Sequence, residues 1–167
     1  MALSTCNINL NIVDYSAVKK YYNGKYARLT YLTEPMCVSL KSNSFSVDQT
    51  NTYITIALSS PDALFFRQLD RQTQEEFENL NLRFIPTVDD NRLLNAKIDP
   101  SMTCEVTELQ TGNRLQCIME CVGIWFKPES YGLAWKVTQL QTKQTQSQFV
   151  EDSDSEDEII EDLDILD

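Results

Sequence analysis

The sequence predicts a mainly β domain with a single helical insertion and an acidic tail. Three observations predict it. Alternating runs rich in β-branched and aromatic residues lie on both sides of one stretch with a helical period. That stretch opens on Ser60-Pro61-Asp62, with Ser60 expected as N-cap and Pro61 in the first helical turn. The last seventeen residues, Glu151–Asp167, hold ten carboxylates and neither Lys nor Arg.

Taken in order, Lys25–Leu32 alternates and is expected as one strand. Cys37–Lys41 and Phe45–Val47 are short alternating pieces. Thr52–Leu58 puts Ile54, Ile56 and Leu58 on one face, with Tyr53, Thr55 and Ala57 on the other. Leu64, Phe65, Leu69, Phe77 and Leu80 then recur at helical intervals, so helix is expected over about 61–80, with Pro86 marking the exit. Strand signals resume at Leu93–Ile98. Cys104–Leu109 and Leu115–Phe126 flank a hairpin turn at Thr111-Gly112-Asn113. Tyr131–Gln141 alternates, with Tyr131, Leu133, Trp135 and Val137 on the core face. Trp125 and Phe126 are also expected in the core. Strands around one helix give an α+β arrangement or a small β-barrel with an added helix. An OB-fold-like Greek-key barrel has that composition. Residues 1–141 form the expected domain, and 142–167 a flexible linker and disordered acidic tail.

The chain has 167 residues and a net charge of −11. All 14 Lys and Arg lie between Lys19 and Lys143; against the 15 acids of residues 1–150 they leave −1, and the tail supplies −10. A near-neutral domain thus carries a charged appendage suited to interaction. Five cysteines, an odd number without a C-x-x-C pair, argue against a disulfide framework and for an intracellular, reducing compartment. Cys117 and Cys121 read as buried structural thiols rather than metal ligands. The opening residues lack a basic n-region and a long apolar h-region, so no signal peptide is expected. No run approaches the ~20 apolar residues of a membrane span.

Catalysis is not expected. The chain has no histidine, no glycine-rich phosphate loop and no nucleophile motif, and no metal or cofactor is implied. Binding is better supported. Lys19–Arg28 interleaves four cations (Lys19, Lys20, Lys25, Arg28) with three tyrosines (Tyr21, Tyr22, Tyr26). Single-strand binders combine these two groups: cations track phosphates, and aromatic faces stack bases. Tyr53, Lys97, Lys127 and Lys136 complete the candidate set, with Tyr22 beside Tyr26 as a platform. In the tail, Ile159, Ile160, Leu163, Ile165 and Leu166 lie between acids, as a partner-docking segment requires. Ser153 and Ser155 each have an acid three residues on, a pattern like that of casein-kinase-2 sites.

The segment VGIWFKPESYGLAWKVTQLQ, Val122–Gln141, resembles the closing signature of single-stranded DNA-binding proteins of large double-stranded DNA viruses. The resemblance covers about residues 90–141, and earlier parts by order of elements. It implies an OB-fold that binds single-stranded DNA without chemistry in viral replication or recombination. The place of action would be a host nucleus or a cytoplasmic replication site. The tail resembles those of bacteriophage and bacterial single-strand binders, which compete with DNA and recruit replication proteins. RNA as a ligand and a homodimer stay open. The alternative is a protein–protein interaction or structural virion module, in which the apolar faces of Leu115–Phe126 pack a partner.

Overall fold

The computed structural model describes residues 1–22, 24–102 and 114–143. Its short N-terminal strands are β1 (Leu3–Ser4), β2 (Val13–Tyr15), β3 (Lys19–Tyr21), β4 (Gly24–Ala27), β5 (Leu29–Tyr31) and β6 (Glu34–Pro35). Then come β7 (Cys37–Ser42), β8 (Phe45–Val47), β9 (Tyr53–Ala57) and helix α1 (Ser60–Glu76). After it follow β10 (Arg83–Ile85), β11 (Leu93–Ile98), β12 (Arg114–Phe126) and β13 (Ser130–Lys143). The protein is mainly β, as the alternation predicts. The larger sheet is mixed and runs β1-β7-β12-β13-β11-β9-β8; β4 joins it through β12, β3 through β4, and β10 through β13. A second sheet has the order β2-β5-β6. The hydrogen-bonded path of the larger sheet is open.

Lys25–Leu32 is two strands, not one. The chain breaks at Arg28, whose backbone N–H donates to Ser16 Oγ at 2.7 Å while the Ser16 N–H donates to the Arg28 carbonyl at 2.9 Å. These bonds draw the chain off β12, to which β4 is paired, and onto β2, to which β5 is paired.

The helix begins one residue earlier than its signal suggests. Ser59, not Ser60, is the N-cap, with its hydroxyl accepting from the Asp62 N–H at 3.2 Å. Ser60 instead accepts from the Arg92 guanidinium at 2.5 Å. The α-helix ends at Glu76; a 3-10 turn over Glu78–Leu80 follows and stops at left-handed Asn81. The buried stripe comprises Ala63, Phe65, Phe66, Leu69, Asp70 and Thr73, continued by Phe77 at the C-cap, whereas Leu64 and Leu80 are exposed. The hydroxyl of Thr73 bonds the Leu69 carbonyl at 2.9 Å and the Tyr15 hydroxyl at 3.0 Å, so a polar residue fits the stripe.

The core lies between α1 and the larger sheet. Ile54, Ile56, Leu94, Ala96, Met119, Trp135 and Val137 are buried there, and Phe66 meets Trp135 edge to face at 5.2 Å. All four residues of the Tyr131/Leu133/Trp135/Val137 face are buried, as expected. A second aromatic group, Phe77, Phe126, Tyr131 and Phe84, closes one end. Cys117 and Cys121 are buried, and burial pushes both thiols up to about 12, so they pack as neutral side chains. β13 runs through Lys143, where it pairs with Arg114, two residues past the expected domain end. Cys104–Leu109, the Thr111-Gly112-Asn113 turn, Ser153, Ser155 and the tail aliphatics lie outside the described residues.

Candidate nucleic-acid interface

β12 is the element that builds the site. Its alternation buries Leu115, Cys117, Met119 and Cys121. At Val122 the register against β13 slips: Cys121 faces Trp135, and Gly123 faces Ala134. Val122 is the extra residue of a β-bulge. Beyond it the parity inverts. Ile124 and Phe126 point inward, and Trp125, expected in the core, turns to the surface and is only partly buried.

The Val122 carbonyl, released from the ladder, accepts a hydrogen bond from the Tyr26 hydroxyl. Tyr26 is directly opposite Trp125 across the β4–β12 pair, so the two rings are neighbours on one face. Tyr21 meets Tyr26 edge to face at 5.5 Å. Partial burial raises the Tyr26 pKa, which keeps its hydroxyl protonated and donating. Lys127 Nζ stands over the Trp125 ring, 5.1 Å from its centroid, an exposed cation–π contact of ~0.5–1 kcal/mol.

Two hollows flank the β3–β4 hairpin. The first, of about 550 Å³, has Tyr21, Tyr26 and Trp125 as its floor and Lys25 and Lys127 at its rim. The second, of about 670 Å³, runs between Val18, Leu82 and Pro128 and is edged by Lys19, Lys20, Lys25 and Lys127. They share Gly24, Lys25, Phe126 and Lys127. Among the described residues no Asp or Glu lines either one. A third hollow continues from Tyr26 and Val122 to Arg28, Glu120 and Lys136.

The candidate residues therefore divide. Lys19, Lys20, Lys25, Tyr26 and Lys127 come together around the first two hollows. Tyr22 is fully exposed on the hairpin and lines neither. Arg28 and Lys136 lie further along. Lys136 is engaged by Asp99 at 3.5 Å and Glu120 at 3.7 Å, so its charge is largely answered within the protein. Tyr53, Lys97 and Lys136 are register partners across β9, β11 and β13, and they form an outward row. Trp125 is the candidate residue that the alternation conceals; its neighbour Lys127 is the sequence signal that points to it. Among the described residues no three Cys, Asp or Glu side chains gather into a metal-binding group.

The chain matches no family model, and neither curated proteins nor solved structures give a match.

Proposed function

We propose that this is a non-catalytic single-stranded DNA-binding protein acting in viral DNA replication or recombination, the setting implied by the Val122–Gln141 resemblance. The carrying observation is the pair of joined hollows, with four lysines at their edges, three aromatic rings on one floor and no carboxylate among their described lining residues. Phosphates would meet the lysines, and bases would stack on Tyr26 and Trp125, each stack contributing ~1–3 kcal/mol. The acidic tail would compete for the same lysines and dock replication proteins.

We also infer an OB-fold-like barrel, which would suit this reading. β7 and β8 stand at opposite ends of the β7-β12-β13-β11-β9-β8 path, yet only Asn43 and Ser44 separate them in the chain. The Ser42 hydroxyl, which donates its one proton between the Ala57 carbonyl at 2.6 Å and the Ser44 carbonyl at 2.8 Å, ties that bend to β9. One bent strand would then close the ring. The helix enters between β9 and β11, which are themselves antiparallel neighbours. Of the segment the rival interaction reading would use, Leu115, Cys117, Met119 and Cys121 are buried in the protein's own core, and Val122 and Trp125 stay at the surface.

Fluorescence anisotropy with a labelled single-stranded oligonucleotide at two salt concentrations tests the reading. Four lysine–phosphate contacts give a log–log salt slope of about −3. Absence of binding at low salt rejects it.

A further inference from the structure

We propose that the Tyr26–Trp125 floor holds unpaired bases by their faces alone, so that the site accepts single-stranded RNA as readily as single-stranded DNA. The inference rests on the single-strand reading above and deepens it.

The floor is built to present faces. Tyr26 crosses Gly123, where a Cβ would come within 2.7 Å of the ring's Cζ and Oη and 2.6 Å of the Ala27 carbonyl. Gly123 also has φ +143°, a conformation other residues rarely adopt. Trp125 lies against Gly132, where a Cβ would stand 3.0 Å from its Cζ2. Glycine at both positions lets each ring settle onto the backbone of the neighbouring strand. Part of each ring is thereby used in packing, and both rings still line the hollow, where Lys127 Nζ stands over Trp125 and would shift to a phosphate when a base stacks.

Discrimination between sugars or bases needs hydrogen-bonding groups that reach the 2′-hydroxyl or the base edge. The described lining residues of this hollow include no Ser, Thr, Asn, Gln, Asp or Glu. The Tyr26 hydroxyl is already bonded to the Val122 carbonyl. Lys25 and Lys127 carry point charges matched to phosphate, which both polymers share. The Tyr21 hydroxyl and the Trp125 indole N–H are the neutral polar side-chain groups that remain, and two groups fixed on separate rings do not read an edge pattern. Stacking and charge are left, and both are indifferent to the 2′ position.

The test uses the full chain and oligomers of about 16 nucleotides, the upper end of one domain's footprint. Oligo-dT, oligo-U and an abasic deoxyribose-phosphate oligomer are titrated at low salt, with tryptophan fluorescence and anisotropy read together. Trp135 is buried, so quenching reports Trp125, and Trp125→Phe serves as the control that removes it. We expect dT and U affinities within about threefold, and the abasic oligomer weaker by about tenfold or more, the scale of a lost stack. A gap of more than about tenfold between dT and U, with Trp125 still quenched, overturns the inference and leaves the single-strand reading standing. An abasic oligomer that binds as well as dT also overturns it, since phosphates alone would then carry the affinity. Failure of all three to bind overturns both.

Discussion

Asp70 places an ionisable group on the buried stripe of α1. Its carboxylate accepts from the Thr87 N–H at 2.8 Å and the Thr87 hydroxyl at 2.6 Å, tying the helix to the segment after β10. Burial raises its pKa to about 6 from 3.8, and the Thr87 bonds oppose that rise without cancelling it. A carboxyl whose folded pKa lies above its unfolded value stabilises the fold when protonated, and that contribution is lost as pH rises through the folded value. The Asp70 contribution to unfolding free energy should therefore fall by about 2 kcal/mol between pH 4 and pH 7, and Asp70→Asn should flatten the profile. Urea denaturation across that range checks this; an identical profile in the variant removes the assignment. Trp135 makes the complementary case. Its ring fills the space beneath Phe66, while its Nε1 is buried without a partner among the described residues. Trp135→Ala should cost ~3–5 kcal/mol. Trp135→Phe should cost less, because it keeps much of the packing and deletes the orphan donor. An alanine variant that melts like the wild type but no longer binds oligonucleotide would move Trp135 from the core to the site.

At the scale of elements, what could be read from the chain depended on where regular alternation holds. Leu93–Ile98 and Phe45–Val47 have the bounds the alternation predicts, and Tyr131–Val137 buries the predicted face. Regularity fails at the Val122 bulge, and there the reading of Trp125 inverts. A bulge is one extra residue with no composition of its own; Gly123, the residue after it, was the available hint. β1, β2, β3 and β10 are two or three residues long, too short to display a period. Their pairing comes from tertiary contacts. The cation–tyrosine alternation of Lys19–Arg28 was legible, but its split between two sheets was not, because the Ser16–Arg28 bonds join residues twelve apart. The β3–β4 hairpin then supplies its own test. Lys20→Glu with Lys25→Glu places two acids at a lysine rim on exposed strands. The fold should survive, while oligonucleotide affinity falls and the salt slope loses about 1.4 from its magnitude. Unchanged affinity, with circular dichroism intact, dismisses the hairpin as the phosphate track.

For the whole molecule, the decisive feature is the separation of charge along the chain. Residues 1–150 are nearly balanced, and the ten carboxylates of Glu151–Asp167 stand apart. The described chain ends on β13 at Lys143, and 24 residues follow it. Extended, they reach up to about 80 Å. A domain of this size has a radius of gyration of only about 15 Å, so every face is within range. In the proposed single-strand reading, tethering would set an effective concentration of roughly millimolar, high enough for weak ion pairs with Lys19, Lys20, Lys25 and Lys127 to compete with DNA. Salt screens those pairs and the phosphate contacts alike. Phosphorylation of Ser153 and Ser155 would add about −1.5 to −2 charge each and deepen the competition. Deleting Glu151–Asp167 should tighten single-strand binding, most at low salt, with the gain shrinking as salt rises. It should also abolish capture of a replication protein if Ile159, Ile160, Leu163, Ile165 and Leu166 form the docking face. The two effects separate experimentally. Replacing those five aliphatics by Ser keeps the charge, so competition should persist while docking is lost. Equal DNA affinity with and without the tail at every salt concentration removes competition from the mechanism. Partner capture that survives the Ser replacements places docking on the folded domain instead.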